Sequence, residues 1–160
     1  MGAQELSTLL WRERELLELL QFKLEEERLL LTAGKSRWLP FATREVEQVL
    51  DRLRTSGVER SIAAGEVADE WSAKEHTLGS LISAAPTSAW RETFEAHQRA
   101  LTDLTAQIAE VRDSNVQYLR AATQSTQETL ASLDLSSGLY DARGGATTDV
   151  APGRILDGEG

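Results

Sequence analysis

The sequence predicts an all-α protein: an elongated antiparallel bundle of three long helices with coiled-coil-like packing, one short connecting helix and a disordered C-terminal tail. Three observations carry this expectation. Leu10, Leu17, Leu24 and Leu31 recur at intervals of seven, and a longer apolar stripe follows alternating steps of four and three from Trp90 to Ala122. Both spacings place side chains on one face of a helix. No segment requires a strand. Helices of this length are not stable on propensity alone, so their stripes must pack against one another or against a second chain. Short connections make sequential helices antiparallel neighbours.

The first helix is built on the leucine heptad, flanked by Leu9, Leu16 and Leu30 on one side and Leu6 and Leu20 on the other. Arg12 to Glu15, Glu18, Lys23 and Glu25 to Arg28 supply its charged, solvated face. Ser7 is available as its cap, and Thr32, Ala33 and Gly34 end or bend it. A second helix is expected from Arg37, with Ser36 as cap and Pro40 tolerated in the first turn. Its stripe is Val46, Val49, Leu50 and Leu53, continuing through Ile62 and Val67, and Gly57 and Gly65 predict a weak middle. Lys74 to Pro86 reads as a connector holding a short helix, Leu78 to Ala84, capped by Thr77 and stopped by Pro86.

The third long helix carries Trp90, Phe94, His97, Leu101, Leu104, Ile108, Val111, Asn115, Tyr118 and Ala122, with Ser88 as its cap and its end near Leu133. Its stripe weakens through the polar run Thr123 to Gln127. The strongest positions on the three stripes define the expected core: Leu10, Leu17, Leu24, Leu50, Leu53, Trp90, Phe94, Leu101, Leu104 and Ile108. Residues 1–133 therefore form the bundle and 134–160 a flexible, acidic, Gly-rich tail, which holds six of the eleven glycines. Leu135, Leu139, Tyr140, Ile155 and Leu156 are unusual in a spacer. Either the tail is a frayed terminus or these residues order on a partner.

Composition removes whole classes of function. A chain of 160 residues suits one domain. It has no cysteine, which excludes disulfides, thiolate metal sites and a cysteine nucleophile and fits a reducing compartment. The 26 acidic against 17 basic residues, a net charge of −9, oppose nucleic acid and anionic lipid partners. No window is apolar enough for stable membrane insertion, and Met1 leads into acidic sequence without a basic signal region. His97 lies within the apolar stripe and reads as a hydrogen-bonded core histidine; His76 falls in the connector. Glu95 and His97 are two apart and face different ways, so a bundle metal site is not assembled. Glu25, Glu26 and Glu27 diverge around the helix and read as a solvated face. Gly144 and Gly145 lack the strand and helix of a phosphate loop. Neither a catalytic residue nor a cofactor or metal is expected, and the chain does not read as an enzyme.

The segments Leu24-Glu-Glu-Glu-Arg-Leu-Leu30, Ala33-Gly-Lys-Ser-Arg-Trp-Leu39 and Thr43-Arg-Glu-Val-Glu-Gln-Val-Leu50 together resemble the FlgN family of flagellar export chaperones in its actinobacterial-like form. Thr77-Leu-Gly-Ser-Leu81, Ala84-Ala-Pro86, Val111-Arg-Asp-Ser-Asn-Val-Gln-Tyr-Leu119 and Leu139-Tyr-Asp-Ala-Arg-Gly144 follow in the order that family shows. Trp71 and Pro40 depart from its pattern. The resemblance implies a cytoplasmic, cofactor-free chaperone that holds the hook–filament junction proteins FlgK and FlgL before export, with export apparatus components as further partners. It also implies a client-binding C-terminal region, here Asn115, Tyr118, Leu119, Ala122, Leu130, Leu133 and Tyr140. On the residues alone, Asn115 is either a buried register-setting asparagine or the point where the intramolecular core gives way to a client groove. A competing reading is a structural coiled-coil homodimer or tether with no export client; the state expected of the chaperone is a monomer or weak homodimer. In solution, backbone amides from Ser136 onward should exchange rapidly, and slow exchange through Gly144 and Gly145 in the isolated protein would refute the tail assignment.

Overall fold

A computed structural model describes residues 2–148, with side chains for residues 2–133. The chain is all-α among the described residues: α1 (Gly2–Thr32), a 3₁₀ turn (Ser36–Trp38), α2 (Leu39–Trp71), the short α3 (Leu78–Ala84) and α4 (Ser88–Thr148). By their contacts, residues separate into two units, Met1–Tyr118 and Leu119–Gly160. Asp134, where the composition changes, lies within the second.

The helix ends follow local chemistry, with several departures from expectation. α1 stops where Gly34 turns left-handed (φ +68°), so that Lys35 N–H donates to the Leu30 carbonyl at 2.9 Å and Gly34 N–H to Leu31 at 3.3 Å. This is the Schellman pattern that closes a helix C-terminus. α2 ends in the same way, with Ala73 N–H on the Ala68 carbonyl, although Ser72 rather than glycine takes the left-handed position. Thr77 caps α3 by accepting from Ser80 N–H, and α3 stops before Pro86, as expected. The cap of α4 is Thr87, whose hydroxyl accepts from Trp90 N–H at 3.2 Å, not Ser88. Ser36 caps nothing either: α2 starts at Leu39 after a 3₁₀ turn, with Pro40 in its first turn supplying the fixed φ that a helix start accepts. Ser7 is not a cap, because α1 begins at Gly2 and Ser7 is buried within it. α2 runs unbroken past Gly57 and Gly65, since packing on α1 outweighs the propensity cost of two glycines. α4 continues past Leu133 to Thr148, as extending an existing helix needs no new nucleus. Residues 149–160, including Ile155 and Leu156, lie outside the described residues.

Within residues 2–118 the helices run up, down and up. Charge pairs set α1 against α2 in antiparallel register, Arg12 with Glu59 at 3.5 Å and Lys23 with Glu45 at 2.9 Å. Ser7 meets His97 and Leu24 meets Asn115, so α4 lies parallel to α1. The core is in two parts. One joins Ala3, Leu6, Leu9, Leu10, Ala63, Ala64, Val67, Ala68, Leu81 and Phe94. The small residues of α2 here let α1 approach closely; a Cβ on Gly2 would come within 3.0 Å of Glu70 Oε1. Trp71, Trp90 and Phe94 close this end as an aromatic trio with centroids 5.5–6.4 Å apart. Trp71 therefore has a packing reason for its bulk. The second part joins Leu20, Leu24, Val46, Val49 and Val111.

Of the expected core, Leu10, Leu24 and Phe94 are buried, whereas Leu17, Leu50, Leu53, Trp90, Leu101, Leu104 and Ile108 are half-buried. Ile62, placed on the α2 stripe by periodicity, is exposed. α1 has two helical neighbours, so its buried face is broad and takes in Leu6, Leu9, Leu16 and Leu20 beside the heptad positions. Glu27 was expected to be solvated and is instead buried, because that face reaches it one turn beyond Leu24. Phe94→Ala should cost about 3–5 kcal/mol in equilibrium unfolding, and Leu104→Ala, half-buried, about 2 kcal/mol or less. Equal losses would contradict the burial pattern.

Candidate functional site

Polar side chains are set into the bundle beside the first apolar cluster and between it and the second. Glu13 Oε2 lies 2.7 Å from Arg60 Nε across α1 and α2, a charge contact whose N–H is not aligned on the carboxylate. Burial pushes the Glu13 carboxyl above its ordinary pKa, and the Arg60 charge pulls the other way. Glu27 is likewise raised, by burial. On the α1–α4 side, His97 Nε2 is 3.0 Å from Ser7 Oγ, and Arg14 Nη1 is 3.4 Å from His97 Nδ1. Arginine only donates, so Nδ1 is the acceptor and Nε2–H donates to Ser7. Burial first, and the Arg14 charge second, lower the His97 pKa and keep the ring neutral. Arg14 also stacks on Trp11 at 3.9 Å, and the Trp11 ring meets His97 edge-on with centroids 5.3 Å apart. His97 is thus the hydrogen-bonded core histidine expected of its stripe position; its partner Ser7 was misread as a cap, since both roles use the same side chain.

The predicted client-binding residues fall into distinct environments. Asn115 is 2 % exposed, and its Nδ2 donates to the Leu24 carbonyl at 2.9 Å. It is a register residue of the packed bundle and also the last buried residue among those described on α4. Tyr118, at the end of the first unit, is exposed. In the second unit every described side chain from Leu119 to Leu133 is exposed. Leu119, Ala122, Thr126, Leu130 and Leu133 are three or four residues apart and share one face of the helix. Leu130 and Leu133 are 56 % and 61 % exposed, so each presents most of an apolar side chain to water. Tyr140 is helical in backbone; its side chain lies outside those described. Such an arrangement does no covalent chemistry, but it can seat another apolar helix.

Among the described residues no group of three His, Asp or Glu side chains could hold a metal ion. None of their helices is long and apolar enough to cross a membrane. The described residues form an all-α protein whose last helix carries an exposed leucine face. The family model for FlgN protein matches residues 1–148, and the chain belongs to the FlgN family, a family of flagellar export chaperones rather than of enzymes. No curated protein and no solved structure matches the chain.

The buried neutral histidine makes a signed prediction. The folded pKa of His97 is lowered, so as pH falls below about 6.5 the unfolded chain takes up the proton first and the folded state loses stability. The raised carboxyls of Glu13 and Glu27 act in the opposite sense, binding protons in the folded state as pH falls toward about 4.5. The readout is therefore the difference between wild type and His97→Gln. The stability advantage of wild type in urea unfolding should shrink from pH 7.5 to 5.5, and a constant difference would show that His97 is not held neutral.

Proposed function

We propose that this flagellar export chaperone acts in the cytoplasm and holds the hook–filament junction proteins FlgK and FlgL by their C-terminal helical segments before export. The clients dock on Leu119, Ala122, Leu130 and Leu133, with Tyr118 and Tyr140 as flanking aromatics. The observation that carries this reading is the uncovered leucine face of residues 119–133, whose side chains have no covering partner while those of the bundle core do. Family membership supports the chaperone class, and the interrupted polar composition of the segment keeps it soluble when empty. Asn115 marks where the packed bundle ends rather than contacting the client, since it is already bonded to Leu24.

Binding energy at interfaces of this type concentrates in a few buried anchors. Converting Leu130 and Leu133 together to Asp should weaken binding of FlgK and FlgL C-terminal peptides at least tenfold, about 1.4 kcal/mol, in calorimetric titration. Melting of the bundle formed by residues 2–115 should stay nearly unchanged. Unchanged affinity would retire the site. A homodimeric spacer would bury the same leucines against a second copy; sedimentation of the pure chain as a monomer, dimerising only weakly at high concentration, excludes it.

A further inference from the structure

We propose that the turn joining α1 to α2 is a docking surface for the anionic headgroups of a lipid bilayer, independent of the client site. The charge of this acidic chain is segregated. Arg28, Lys35, Arg37 and Arg44 fall in residues 28–44, where no acidic residue occurs, so the rest of the chain sets 13 cations against all 26 acids. These four cations lie within about two helical turns of the turn itself. Of the nearest acids, Glu26 and Glu45 bond Lys23 at 3.2 Å and 2.9 Å and Glu27 is buried, which leaves Glu25 and Glu47 at the two edges of the cationic segment. Beyond a Debye length of about 8–10 Å the remaining acidic surface is screened from whatever the turn touches.

Exposed aromatics accompany the cations. Trp38 is 48 % and Phe41 55 % exposed, with ring centroids 5.8 Å apart. The Arg37 guanidinium sits 4.9 Å from the Trp38 ring centroid and that of Arg44 5.9 Å from Phe41, while Leu29 is also exposed. The shape is a ridge. Thr32 to Trp38 are seven consecutive exposed residues, and a Cβ on Gly34 would meet nothing within 4 Å. A peptide partner needs a groove that encloses side chains or an edge that pairs with backbone. An exposed turn with aromatic rings beside it and arginines over those rings instead suits a flat interface, where the rings enter the headgroup layer and the cations neutralise anionic lipid.

The test is co-sedimentation of the full chain with vesicles of phosphatidylcholine, with and without phosphatidylglycerol. Binding is expected only with phosphatidylglycerol and should weaken as salt rises. Lys35→Glu with Arg37→Glu, and separately Trp38→Ser, should each reduce the apparent affinity about tenfold or more, whereas Arg52→Glu with Arg54→Glu, exposed charges elsewhere on α2, should leave it unchanged. Retained client binding by the turn variants shows that they are folded and separates this proposal from the client site. Absence of binding to phosphatidylglycerol vesicles, equal binding to neutral ones, or equal loss in the Arg52 and Arg54 variant would overturn the proposal. Binding of poly-glutamate without binding of vesicles would reassign the turn to an acidic polypeptide.

Discussion

Two buried hydrogen bonds hold α4 parallel to α1, and the arrangement of the bundle depends on that pairing. Short turns place α2 beside each long neighbour in sequence, but no loop ties the first helix to the last. Ser7 with His97 and Asn115 with the Leu24 carbonyl lie about 26 Å apart along the axis, given the rise of a helix. Leucines and valines tolerate a shift of one turn, because apolar contact is non-directional. A buried amide or imidazole does not, since losing its partner costs about 1–3 kcal/mol. With both bonds made, Phe94 and Val111 fall into the two apolar clusters.

Polar side chains interrupt the apolar contacts of α1 with α2 and α4. The Glu13–Arg60 contact and the Arg14, His97 and Ser7 group replace apolar packing with charges that burial penalises, as the raised Glu13 carboxyl and the lowered His97 imidazole both record. Hydrophobic burial at the two ends offsets that cost, most fully around Phe94, Leu6 and Leu10. The aromatic trio of Trp71, Trp90 and Phe94 adds contact where α2 and α4 meet across the α3 connector.

Packing divides along the chain. Asn115 is the last buried residue among those described on α4, and beyond it Leu119, Leu130 and Leu133 are exposed to water. Net charge hid a second division: a chain at −9 still gathers four arginines and lysines around one aromatic turn.

The sequence by itself determined the helix inventory, because periodicity and punctuation are local. Thr77 and Pro86 bounded α3, Gly34 ended α1, and the four-three spacing from Trp90 built α4 with His97 inside it. The family was legible in the same way, from an ordered set of short segments spread along most of the chain. What the tertiary structure decided was which part of each stripe is covered. The leucine stripe of α1 and its flanking leucines were legible, but two neighbours extend the buried face to Glu27, while Ile62 was left in water. Ser7, Ser36 and Ser88 look alike as caps, because a serine hydroxyl serves a helix start or a distant imidazole equally well; only the position of His97 chose for Ser7. That the Asn115 amide donates to the Leu24 carbonyl is likewise visible only in the packed helices. Periodicity is a property of one helix, and burial belongs to the helices that surround it.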